Sequence, residues 1–69
     1  MTQVERVLKY IEQFGSITPM EAFRDLGITK LATRISELID EGYQIKKEWV
    51  SSTNRYGEKV RYKKYSLEE

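Results

Sequence analysis

The sequence predicts an α+β fold, a three-helix core followed by a C-terminal antiparallel strand pair. Three observations predict it. Up to Gly42, apolar residues recur at three- and four-residue spacing in three short segments, each opened by a threonine. Glycines 15, 27 and 42 close those segments. Beyond Gly42 the pattern turns to aromatic and β-branched residues around one polar loop.

The first helix is expected over about residues 3–14. Thr2 and Glu5 form a capping box, in which hydroxyl and carboxylate each serve an orphan amide of the first turn. Val4, Val7, Leu8, Ile11 and Phe14 make its apolar stripe, and Gly15 supplies the left-handed residue that ends it. Ser16 and Ile17 form a short bridge, able to add a third strand to the later hairpin. Thr18, Pro19 and Glu21 open a second helix over about 19–26 with another capping box and a proline at its first position. Met20, Ala22, Phe23 and Leu26 give it an inward face, with the small Ala22 allowing close helix approach. Gly27 breaks it, Ile28 returns to the core, and Thr29 caps the next helix.

The third helix is expected over about 30–41, stopped by Gly42. Leu31, Ile35, Leu38 and Ile39 cluster on one side at 100° per residue, with Ala32 at the edge. Lys30, Thr33, Glu37 and Asp40 lie opposite, flanked by Arg34 and Glu41. Thr18 to Gly42 therefore has the layout of a helix-turn-helix, whose second helix can enter a DNA major groove.

The strands are expected over about 43–51 and 59–67, separated by a polar loop containing Gly57. Pairing Ile45 with Leu67 sets Trp49 opposite Lys63 and Glu48 opposite Lys64, a favourable cross-strand ion pair. Ile45, Leu67, Tyr65 and Trp49 then share the face turned to the helices, with Val50, Tyr62 and Val60 on the other.

Sixty-nine residues make one domain, and the absence of cysteine and histidine excludes disulfides and thiolate or imidazole metal sites. The same absence removes the common nucleophile–base pairs, and the glycines form no phosphate cradle. No enzyme activity, cofactor or metal is expected. No apolar run approaches the roughly 20 residues of a membrane span, and no signal-peptide core follows Met1. A cytoplasmic location is expected. The net charge is only +1, but it is unevenly spread. Residues 1–42 sum to −2, residues 43–64 to +5, and the tail to −2. A positive lobe confined to the hairpin is the footprint expected of a DNA-facing element. Lysines guarding sheet edges would look the same.

If the motif binds DNA, the outer face of the third helix reaches base edges. Lys30, Thr33 and Arg34 lead the candidates, joined by Thr29 and Glu37. Arg34 or Lys30 can donate to guanine, Thr33 can meet a thymine methyl or a phosphate, and Glu37 can accept from cytosine.

RVLKYIEQFGSITPMEAFRDLGITKLATRISELIDEGYQI resembles the small winged helix-turn-helix domains of bacteriophages and bacterial prophages, and WVSSTNRYGEKVRYKKYSL resembles their hairpin wing. The resemblance implies a three-helix core with a β wing and a double-stranded DNA partner. It implies that the third helix is the recognition helix, with Asn54, Arg55 and Tyr56 at the wing tip near a minor groove or the backbone. Lys59, Arg61 and Lys63 would supply phosphate contacts. The leading function is then sequence-specific duplex binding by a phage or prophage transcription regulator or a recombination directionality factor. The alternative is a protein-interaction module on the same scaffold, motivated by the acidic first 42 residues. A third reading is RNA or altered-duplex binding. So small a module calls for a second copy or a partner protein to reach useful affinity.

Overall fold

The computed structural model describes residues 2–68. Three helices, α1 (Gln3–Phe14), α2 (Pro19–Leu26) and α3 (Leu31–Asp40), precede two strands, β1 (Ile45–Thr53) and β2 (Lys59–Leu67).

Both capping boxes close. The Glu5 amide donates to Thr2 Oγ1 at 3.2 Å and the Thr2 amide to Glu5 Oε1 at 3.3 Å. At α2 the corresponding distances, Glu21 to Thr18 Oγ1 and Thr18 to Glu21 Oε1, are 3.2 and 3.0 Å. The third helix differs from expectation. It starts one residue later, so the cap position falls to Lys30, whose side chain makes no cap bond, and Thr29 lies outside it. Its far end closes at Gly42, φ 103°, where the amides of Gly42 and Tyr43 donate to the carbonyls of Ile39 and Leu38. Those two residues serve the helix end, and β1 begins at Ile45 rather than at 43.

Val7, Tyr10, Ile11, Ile17, Ala22, Ile28, Leu31, Ile35, Leu38 and Tyr65 form the core, with Val4, Leu8, Leu26, Ile45 and Leu67 packed against it. Several residues assigned inward from periodicity are in fact exposed. Phe14 points the right way around α1 but sits at its last position, past the core, and packs on the Tyr10 ring at 4.6 Å between centroids. Tyr10 is buried in its stead, its hydroxyl donating to Asp25 Oδ2 at 2.7 Å while Arg24 Nε holds Oδ1 at 2.9 Å. On α2, Ala22 and Leu26 take the single inward stripe that an eight-residue helix can present, which leaves Met20 and Phe23 on the flank. Ile39 falls at the edge of α3's buried side for the same geometric reason.

β1 and β2 pair antiparallel from Ile45↔Leu67 to Thr53↔Lys59, including Trp49↔Lys63 and Glu48↔Lys64 as expected. On the other edge of β2, Ile17 and Tyr65 exchange two backbone hydrogen bonds of 2.8 and 2.9 Å, a one-residue third strand that ties the hairpin to the α1–α2 connection. Only the base of the hairpin packs into the core. Trp49 shares sheet parity with Ile45, Tyr65 and Leu67, yet it is 61% exposed because it sits two pairs nearer the tip than Tyr65 and four nearer than Ile45 and Leu67. The protruding wing stretches the molecule to 39 × 24 × 20 Å.

Candidate nucleic-acid interface

Side chains alternate across a strand, so the register sorts the wing into two unlike faces. Lys47, Lys59, Arg61 and Lys63 stand on the face of Trp49, with no carboxylate among them. Lys46 and Lys64 stand on the other, with Glu48, Val50, Tyr62 and Val60. The Arg61 guanidinium carbon lies 5.0 Å and the Lys63 ammonium 5.2 Å from the Trp49 ring centroid. Both distances lie within cation–π range, worth about 0.5–1 kcal/mol at an exposed site, which orders the two cations around the indole. Lys47 and Trp49 were not picked from the sequence as interface residues. The signal for both was present in the register, which sets them on the face of Arg61 and Lys63.

Glu48 departs from expectation. Its Oε1 pairs with Lys46 Nζ at 3.2 Å, on its own strand, and not with Lys64 across the ladder. That hydrogen bond, then the charges of Lys46 and Lys64, hold its carboxyl below the usual value. Residues two apart on a strand share a face, so Lys46 competes on equal terms with the cross-strand lysine.

At the wing tip Asn54 turns its side chain into the loop. Its Oδ1 accepts from the amides of Tyr56 and Glu58 at 2.9 and 3.0 Å, and its Nδ2 donates to Glu58 Oε1 at 3.3 Å. Gly57, φ 78°, completes the reversal. The Asn54 amide group is thus engaged in holding the tip. Arg55 and Tyr56 are what the tip presents, Tyr56 at 81% exposure.

Thr29 and Lys30, which precede α3, and Thr33 within it are exposed. Arg34 is not free. Its side chain is half-buried, and Nη2 meets Glu37 Oε1 at 3.1 Å. Its Nε is shut off from solvent with no hydrogen-bond partner among the described residues. The Glu37 carboxylate proposed for cytosine is therefore engaged by the arginine proposed for guanine. Ala32 and Ser36, not singled out from the sequence, are exposed, and helical spacing sets both within 100° of Thr33. Short side chains there let a groove wall approach the helix backbone. Unlike α1 and α2, α3 opens with neither a side-chain cap nor an acidic first turn, so no side chain of its own caps its first amides.

Between α2 and the opposite face of the wing lies a mainly apolar groove of about 860 Å³, whose apolar lining includes Met20, Phe23, Val60 and Tyr62 and whose polar lining includes Glu21, Arg24 and Lys64. Among the described residues no group of three carboxylates gathers to hold a metal ion, and no helix is long and apolar enough to cross a membrane.

The family model described as winged helix-turn-helix domain matches residues 2–69. No curated protein and no solved structure matches the chain significantly.

Proposed function

We propose, from the premise that the chain belongs to the winged helix-turn-helix domain family, that it binds duplex DNA as a transcription regulator of phage or prophage type. In this reading α3 lies in the major groove and the Trp49 face of the wing follows the adjacent backbone or minor groove. The carrying observation is the sorting of charge: four cations and no carboxylate on one wing face, in a chain whose net charge is only +1. Phosphate contacts position and base contacts specify. The wing cations supply the first kind, and Lys30, Thr33, Ser36 and a released Arg34 the second. The open first turn of α3 adds backbone donors for a phosphate, in the place where α1 and α2 use threonine and glutamate. Winged helix-turn-helix domains are typically DNA-binding folds rather than catalytic ones, and no cofactor enters the reading.

An amide-shift titration with mixed-sequence duplex at two salt concentrations tests it. Shifts should map to α3 and to Lys47, Lys59, Arg61 and Lys63. If each of those four neutralises one phosphate, log Kd should rise with log salt at a slope of about 3–4. Unshifted amides at low salt would refute duplex binding.

The groove between α2 and the wing favours a second reading, a protein-interaction module, because Met20 and Phe23 are 74% and 64% exposed there. A second copy or a partner protein on that groove is compatible with DNA on the opposite wing face. Light scattering with and without Phe23→Ser separates the cases. A dimer lost on substitution supports the groove as an interface between copies, and a monomer in both samples removes that form of the reading.

A further inference from the structure

We propose that Trp49, with Arg61 and Lys63 resting over its ring, is a stacking site for an unpaired nucleobase of a DNA strand. The inference rests on the DNA-binding reading above and names what this face takes beyond paired duplex.

An indole is the largest apolar surface a side chain can offer, and folding ordinarily covers most of it. Here the packing positions on the same sheet face, Ile45, Tyr65 and Leu67, are already filled, and Trp49 stands 61% exposed beyond them. Its place is set by its backbone pairing with Lys63 and by two cations 5.0 and 5.2 Å from its ring. Contacts to phosphate alone need lysine and arginine and no aromatic ring. Paired DNA keeps its base faces inside the stack, so an indole on the wing finds no π-face there.

An unpaired base offers one. Stacking it moves the Arg61 and Lys63 heads from over the ring, where they are free to meet its flanking phosphates, and no carboxylate on this face opposes them. An aromatic platform within a cationic track is the arrangement by which proteins hold single strands with little sequence preference. Stacking and charge here lie on the same few residues of a protruding hairpin, so a strand can reach both without displacing the core.

Trp49 is the chain's one tryptophan, so its fluorescence reports this site alone. The full chain is titrated with a duplex interrupted by a short single-stranded thymidine gap and with the fully paired duplex of equal length. Saturable quenching is expected with the gapped duplex and little with the paired one, together with about 10-fold tighter binding of the gapped form. Anisotropy of the labelled duplexes then follows Trp49→Leu and Trp49→Phe, with melting curves confirming that both variants fold. The leucine variant should lose the preference for the gap, and the phenylalanine variant should keep part of it. Unchanged fluorescence on binding gapped DNA, or a gap preference that survives in the leucine variant, overturns the stacking site while duplex binding stands. Failure to bind either DNA overturns both.

Discussion

Glu37 decides what Arg34 can do. The carboxylate takes Nη2 at 3.1 Å, in i,i+3 geometry between a half-buried arginine and a more open glutamate, and such a helix pair contributes little to stability. A phosphate or a guanine edge must compete with it. Glu37→Gln should therefore release the guanidinium and raise duplex affinity a few-fold at low salt, with the melting temperature nearly unchanged. Anisotropy titrations of both proteins read the difference, and equal affinities would mean that Arg34 does not reach DNA. A second residue-scale arrangement is internal. Tyr10 and Arg24 share the Asp25 carboxylate, so a polar brace joins α1 to α2 at the margin of a core that otherwise holds no buried polar residue among those described. Loss of the hydroxyl in Tyr10→Phe should cost roughly 1 kcal/mol in chemical denaturation, because Arg24 still serves Asp25.

Element by element, the helices differ in how their ends are finished. Two have reciprocal threonine–glutamate caps, whereas the helix assigned to DNA has a lysine at the cap position. A cap acceptor there would improve the fold and oppose the proposed phosphate contact. Lys30→Asp should stabilise by only about 0.5 kcal/mol, the low end for a cap, because ψ of 60° at this residue must first rotate toward the 163–166° of Thr18 and Thr2. The same substitution places an anion where phosphate would dock, so duplex affinity should fall as stability rises. Parallel melting and DNA titrations check the opposition, and unchanged affinity would remove the α3 N-terminus from the interface. The wing shows the converse economy. Its tip is held by Asn54, its base by Ile17 and Tyr65, and the span between is left to Trp49 and its cations.

For the molecule as a whole, pH acts through a few shared hydrogen bonds. The carboxyl of Asp25 is held below its ordinary value by Arg24 and then Tyr10, that of Glu5 by the Thr2 amide and hydroxyl, and that of Glu48 by Lys46. Depressed carboxylates stabilise the fold above their unfolded pKa of about 4, and that contribution disappears as pH falls through the lowered folded values. The Tyr10 hydroxyl moves the other way, pushed up to about 12 chiefly by its bond to Asp25. Its contribution is complete below the unfolded value of 10.0 and is lost as pH rises toward about 12. Melting temperatures should thus be flat through neutrality and fall at both ends. Asp25→Asn, which removes the charge shared by Tyr10 and Arg24, should flatten part of each limb, and an unchanged profile would show that this brace does not couple to folding.

The three helices, the caps at Thr2 and Thr18, the glycine turns, the hairpin register and the concentration of positive charge after Gly42 can all be read from the residues in order. Each of these is set within a few neighbouring residues, by capping, by positive φ at glycine, or by a period of 3.6 or 2. Where the core ends depends on the packing of the elements in three dimensions. Periodicity reports the direction a side chain points and not how far along its element the packing partner extends, so Phe14, Met20, Phe23 and Trp49 pointed inward on the sequence and emerged at the surface. The pairing of Glu37 with Arg34, and the gathering of Arg61 and Lys63 on the Trp49 ring, likewise depend on side-chain placement that no one-dimensional pattern contains. The candidate interface was therefore legible in the sequence as charge, helix face and strand register, whereas the exposure of its central aromatic residue came from the shape of the wing.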